Sequence, residues 1–224
     1  MSLLDVVFVD DHLAILNKPS GLLSVPGRGE DKQDCLIARA QTLWPEALTV
    51  HRLDMATSGL MVIARGPDMQ RNLSHAFAKR DVYKIYEAIV SGELHSPETD
   101  DTEAWHDIEM PLLIDWPNRP KSKIDWEHGK PSHTHWRVKN SNSNSNSNSN
   151  SNHTTRVELK PMTGRTHQLR LHMMGIGHPI LGDALYASPD IQAQSSRLLL
   201  HARVLQFKHP FTAEWMAFES LVPF

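Results

Sequence analysis

A single cysteine, Cys35, rules out an intramolecular disulfide in this 224-residue chain. The opening stretch MSLLDVVFVDDHLAILNKPSG carries neither a basic leader nor a long apolar run. No secretion signal and no membrane span are therefore expected, and a cytoplasmic location is the expectation. Glycine-rich loops of the Rossmann or P-loop kind are missing, as are HExxH and the Cys/His spacing of zinc fingers. Positive charge is missing from one long window. Between Ile85 and Asn118 there is no Lys or Arg, while nine acids fall there. Without those nine, the formal net charge of −3 becomes +6. A basic remainder of that kind can hold phosphates, so an RNA or DNA partner stays open despite the acidic total.

Short strand-like runs dominate what is present. VVFV and LAILNK read as two strands joined by Asp10-Asp11, and LMVIAR as a buried strand. DCLIARAQTLW reads as a helix opened by Asp34. DMQRNLSHAFAK reads as a helix with Met69, Leu73, Ala76 and Phe77 on one stripe and Asp68 as its cap. YKIYEAIVSG is a strand closed by Gly92, and the acidic stretch to Pro120 reads as loop-rich. HTHWRVK and TTRVELKP form a hairpin whose connection, Asn140 to Asn152, alternates Asn and Ser and can bury nothing. Thr166 is expected to cap a short helix ending at Gly175, and the tail reads as two strands around Lys208–Thr212. The class is α+β: one domain over residues 1–224, with a mostly antiparallel mixed sheet flanked by helices and loops.

Three constellations carry possible chemistry. Asp54, in HRLDMATSGL, is a lone carboxylate: either an Asx-turn residue, or a nucleophile or base presented at a strand edge. KPMTGRTHQLRLH gathers Lys160, Arg165, His167, Arg170 and His172 near a helix N-terminus, either a solvated basic face or an anion site. Tyr83 and Tyr86 face opposite sides of one strand, so one can be core while the other meets a cleft. His133-x-His135, with His51, His167 and His172, suggests zinc, since strand H-x-H pairs occur in metal sites, but HExxH and finger spacing are absent and no metal is assigned.

HRLDMATSGL, YKIYEAIV and LKPMTGRTHQLRLHMMGIGHPILGD, in that order, resemble the RluA family of pseudouridine synthases. LNKPSG at Leu16–Gly21 and LLLHA at Leu198–Ala202 extend the resemblance over nearly the whole chain. IDWPNRPKSK and LGDALYAS are similar to the RluA subfamily, which acts on loop uridines of 23S rRNA and tRNA. The resemblance implies uridine isomerisation in RNA with base flipping, without cofactor or metal; a monomer is the expectation, since nothing in the sequence suggests an obligate dimer. By position, Asp54 matches the catalytic aspartate and Tyr86 the tyrosine that stacks on uracil. Arg165 matches the arginine that pairs with the carboxylate, and Arg52 the residue filling the space of the extruded base. His51, Lys160, His167, Gln168 and Arg170 are assigned to the RNA-binding surface. Only sixteen residues precede Asn17, so no S4-type RNA-binding module is expected ahead of it. Two rivals are a metal-dependent RNA phosphodiesterase using His51, Asp54 and His167, and an RNA-binding domain without catalysis.

Overall fold

A computed structural model describes residues 4–95, 104–142 and 153–224. The chain divides into two compact units: Met1–Lys84 with His201–Pro223, and Ile85–Leu200 with Phe224.

The first unit begins with β1 (Val6–Val9) and β2 (Leu13–Lys18), joined where the Asp10 carboxylate accepts the N–H groups of His12 and Leu13, each at 2.7 Å. Asp10 thus acts as the turn residue that the Asp-Asp pair suggested. Helix α1 (Leu36–Gln41) starts one residue later than expected, with Cys35 in the capping position. Asp34 instead grips Arg39 through two hydrogen bonds of 2.7 and 2.6 Å. β3 (Ala47–Thr49) pairs with β4 (Ser58–Arg65), whose side chains are buried almost throughout. A strand covered on both faces needs no polar alternation, hence the continuous apolar run. α2 (Pro67–Lys79) has Pro67 in its first turn and Gly66 in the capping position, so Asp68 lies inside the helix and pairs with Arg71. Met69 and Leu73 enter a core with Leu13, Ile15, Leu60 and Val62, and Ala76 and Phe77 pack against it. Truncating a core side chain such as Leu73 to Ala typically costs about 2–5 kcal/mol.

The second unit is built on β5 (Tyr83–Ser91), β6 (His106–Glu109), β9 (His133–Asn142) and β10 (Thr154–Pro161), in the order β5-β10-β9-β6, all antiparallel. β7 (Leu112–Ile114) and β8 (Ser122–Ile124) form a separate hairpin. The loop-rich acidic stretch also holds β6 and β7. At three or four residues each, they are too short to show an alternation. β9 runs to Asn142, which pairs with Thr154, so the first residues of the Asn/Ser run are strand rather than connection. The rest of that run, 143–152, lies outside the described residues. Helix α3 (Gln168–Gly175) begins after His167, which adopts a left-handed conformation, φ 57°, and Thr166 does not cap it. A short helix α4 (Pro189–Gln192) follows.

The chain returns to the first unit in β11 (Leu200–Lys208) and β12 (Trp215–Glu219). There β11 runs parallel to β4 and antiparallel to β12, while β2 lies antiparallel on the other side of β4. The fold class is α+β, as expected, and the β4–β11 contact is parallel within a mostly antiparallel set. At that contact Gly59 has φ +118°, and a Cβ there would sit 2.3 Å from the Ala202 carbonyl oxygen. Only glycine permits this approach.

Candidate active site

Asp54 stands in the loop between β3 and β4, and backbone carbonyls on both sides of it are fastened. Lys18, at the end of β2, is fully buried. Its ammonium donates to the carbonyls of Pro19, Leu22 and Met55 at 2.9, 2.7 and 3.1 Å. Ser20 donates to the Ala56 carbonyl at 2.7 Å, and Gly21 N–H to Met55 at 2.8 Å. Ser24 donates to the Leu53 carbonyl at 2.7 Å and accepts the Leu53 N–H at 3.1 Å. Residues 53, 55 and 56 are thus held by the LNKPSG turn and Ser24, while Thr57 N–H donates to Asp54's own carbonyl at 3.1 Å. A buried ammonium surrounded by carbonyls is stabilised only where the backbone is shaped for it, so the arrangement fixes the loop. Downstream, Ser58 meets His201 Nδ1 at 2.8 Å and His201 Nε2 meets Ser220 at 2.6 Å, anchoring the first residue of β4.

Arg52 is exposed two residues before Asp54. His51 is used differently from the RNA contact expected of it. Its Nε2 accepts the Val62 N–H at 3.1 Å, and its ring stacks on Phe77 with centroids 4.5 Å apart. Burial, reinforced by the charge of Lys84, pushes its pKa down to about 3, so the ring is neutral. Burial likewise pushes Lys84 below the ordinary lysine range.

Arg165, in the second unit, sits on a turn held by Gln168. The buried Gln168 side chain accepts the Arg165 N–H at 3.0 Å and the Thr163 hydroxyl at 2.8 Å. It donates to the His133 carbonyl and Thr134 hydroxyl, both at 2.9 Å. All its hydrogen-bonding capacity is spent on the protein, so Gln168 positions the Arg165 turn rather than contacting RNA. The Arg165 side chain is exposed, with Nε donating to the Pro131 carbonyl at 3.2 Å. It borders a cavity of about 380 Å³ lined also by Leu112, Ile114, Trp116, Lys130 and Thr166. His167 Nδ1 meets the Tyr186 hydroxyl at 2.6 Å, and that hydroxyl also accepts the Ser122 N–H.

Arg170 corrects another expectation. It is 4% exposed and forms a two-point ion pair with the fully buried Asp183, at 2.8 and 2.6 Å. A guanidinium committed to a buried carboxylate is not available to a phosphate; its role is to tie α3 to the LGD turn. Tyr86 lies half-buried in β5 opposite Leu159, and Lys160 lies in β10 opposite His135. On the alternate side of β5, Glu87 receives Lys139 at 2.8 Å and Arg156 at 2.5 Å. Burial favours its neutral form, but these two hydrogen bonds outweigh that and hold its carboxyl below the usual range.

Residues 12–174 match the family model described as RNA pseudouridylate synthase. The chain belongs to the RNA pseudouridylate synthase family. Among relatives, it is 45% identical over 219 residues to the "Dual-specificity RNA pseudouridine synthase RluA" of Escherichia coli K12, covering 98% of this chain and 93% of that one. It is 46% identical over 217 residues to the protein so named in Pasteurella multocida, covering 97% and 92%. The structure of human RNA Pseudouridylate Synthase Domain Containing 1 shares the fold, with a TM-score of 0.76 at 24% identity over 99% of this chain and 84% of that one. Human RNA Pseudouridylate Synthase Domain Containing 4 does so with a TM-score of 0.69 at 25% identity over 98% and 88%.

In this synthase the residues that hold the Asp54 loop, Lys18, Ser20 and Ser24, carried little signal of their own. Lys18 is the one trace: a charged residue directly continuing the apolar strand Leu13–Leu16 is either exposed at an end or buried with partners. Only the fold decides which. The phosphodiesterase rival gains nothing from the geometry, since His51 accepts a backbone N–H and His167 bonds Tyr186.

Proposed function

We propose that this synthase converts loop uridines of 23S rRNA and of tRNA to pseudouridine, with Asp54, Tyr86 and Arg165 acting on one flipped-out uridine. The observation that carries the reading is the Asp54 loop itself: a family-matched carboxylate whose neighbouring carbonyls are held by Lys18, Ser20 and Ser24. Such a loop meets a reacting atom without first reorganising, and that favours the transition state.

The chemistry is an isomerisation. The N1–C1′ bond breaks with its electron pair leaving on the uracil, and the Asp54 carboxylate meets the electron deficiency at C1′. The uracil turns, C5 supplies the electrons for a new bond to C1′, the C5 proton departs and N1 takes up a proton. Nothing is oxidised or reduced. Tyr86 stacks on the uracil, Arg165 is the basic side chain that matches the family's arginine and Arg52 occupies the space the base leaves. Extrusion costs a few kcal/mol, less in a loop, which favours structured RNA loops over duplex. Lys160 and His167 serve the RNA backbone. Both units belong to a single catalytic domain over residues 1–224, working as a cytoplasmic monomer. No helix among the described residues is long and apolar enough to cross a membrane.

The test is incubation of the purified chain with an unmodified tRNA transcript and with 23S rRNA, followed by chemical mapping of pseudouridine. New pseudouridine in a loop of each RNA is expected. Modification of neither would overturn the proposal.

A further inference from the structure

His133 and His135 gain partners from a strand that the sequence does not bring near them. In an antiparallel pair, residues directly opposite share a face, and alternate residues along each strand lie on that same face. β6 and β9 set Asp107 opposite His135 and Glu109 opposite His133. The intervening Ile108 and Thr134 are buried on the other side. Two imidazoles and two carboxylates therefore form a square on one face of the edge strand pair. The Asp107 Oδ1 atom lies 2.6 Å from His133 Nε2 and also contacts His135 Nδ1. Glu109 Oε1 is 4.0 Å from His133 Nε2. The two rings meet edge to face, centroids 4.5 Å apart. One ligand atom from each of Asp107, His133 and His135 lies within 4.8 Å of the others. Side-chain exposures of 29% and 25% for the histidines and 58% and 74% for the acids leave the square open to solvent.

We propose that Asp107, His133 and His135 form a site for a divalent transition-metal ion of the zinc type, with Glu109 or water as the fourth ligand. Tetrahedral zinc, with bonds of 2.0–2.2 Å, needs ligand atoms about 3.3 Å apart. Present separations bracket that value, so small rotamer changes suffice. Nitrogen and carboxylate donors in equal share suit zinc, cobalt, nickel and copper, whereas magnesium and calcium favour oxygen alone. In the hydrogen-bonded state a single carboxylate oxygen serves both rings; a cation would replace the shared protons and draw Glu109 inward. Two cations lie in register nearby: Lys160, opposite His135 on β10, and Arg137, next on the same face of β9, which Glu158 engages at 2.7 Å. The ion would staple β6 to β9; among the described residues, main-chain pairing of β6 exists on one side only.

The test uses the full chain, stripped of metal, titrated with Zn²⁺ against a chromophoric chelator at neutral pH, with native mass spectrometry for stoichiometry. One zinc per chain with a Kd on the order of 1 µM or tighter is expected. His133→Ala, His135→Ala and Asp107→Asn should each weaken it by about 100-fold, at or beyond the top of the range seen for lost supporting residues. His75→Ala, at an exposed helix position, should leave it unchanged. Circular dichroism and thermal midpoints of the metal-free variants establish that they are folded, and Asp107→Asn keeps the side-chain size. Absence of saturable one-to-one binding, or binding that survives in folded His133→Ala and His135→Ala, would overturn the proposal.

Discussion

Replacing Lys18 by Met removes a charge from the core while keeping the length of the side chain, and so isolates what the ammonium does. Three carbonyls lose a donor: Pro19, Leu22 and Met55. Met55 keeps the Gly21 N–H at 2.8 Å, so two acceptors carry most of the penalty. An unsatisfied buried acceptor costs about 1–3 kcal/mol, so the two together cost about 2–6 kcal/mol. Relief from burying an ammonium offsets part of this, leaving a net destabilisation of roughly 2–4 kcal/mol. With a urea m-value of about 3 kcal/mol/M, the unfolding midpoint should fall by about 1 M. Catalysis should suffer more than folding. The Asp54 loop loses its tie to Met55, and misplacement of a reacting group by about 1 Å costs on the order of 100-fold. Single-turnover release of tritium from RNA carrying 5-tritiated uridine, at a temperature where the variant is folded, reads that loss. A Lys18→Met protein with the wild-type urea midpoint and a single-turnover rate within a factor of two would refute the idea that Lys18 fixes the loop.

Gln168→Ala should lower the single-turnover rate by roughly 10- to 100-fold while filter binding shows a change in RNA affinity of less than about threefold, because the side chain holds the Arg165 turn. Gly59→Ala should destabilise by about 3 kcal/mol or more in urea titration, since its Cβ would collide with the Ala202 carbonyl at a positive φ. Burial lowers the pKa of His172 to about 4 and, with Lys84, that of His51 to about 3. Above pH 6.5 their stabilising contribution is complete. As pH falls from 6.5 toward 4, the unfolded chain binds protons that the folded chain refuses, and stability drops. For His172 the loss is on the order of 2–3 kcal/mol, measurable as a urea midpoint falling through that window and falling less in His172→Gln.

Long, strongly patterned elements are legible in the sequence. β4 announced itself by an unbroken apolar run and α2 by the Met69–Leu73 stripe. Helix starts were less so, because Asp34 and Asp68 had alternatives as good as capping, namely Arg39 and Arg71. β3, β6, β7 and β8 have three or four residues and owe their form to their partners. At the site, Asp54 could be singled out by residue type and by resemblance. The clamps could not, since Ser24 is 29 residues from the carbonyl it holds and Lys18 37 residues from Met55. Arg170 misled for a related reason: a basic residue beside an anion-binding motif looks like a phosphate ligand until its buried partner, Asp183, is seen.

Substitution of Asp54 by Asn bears on the central claim with the least intervening inference. The variant keeps the size of the side chain and should keep the thermal midpoint and RNA affinity of the parent. It should release no tritium from 5-tritiated uridine in substrate RNA above a background at least roughly three orders of magnitude below wild type, because an amide cannot supply the anion. Release at a rate near that of the parent would contradict the assignment of this carboxylate as the group that meets C1′.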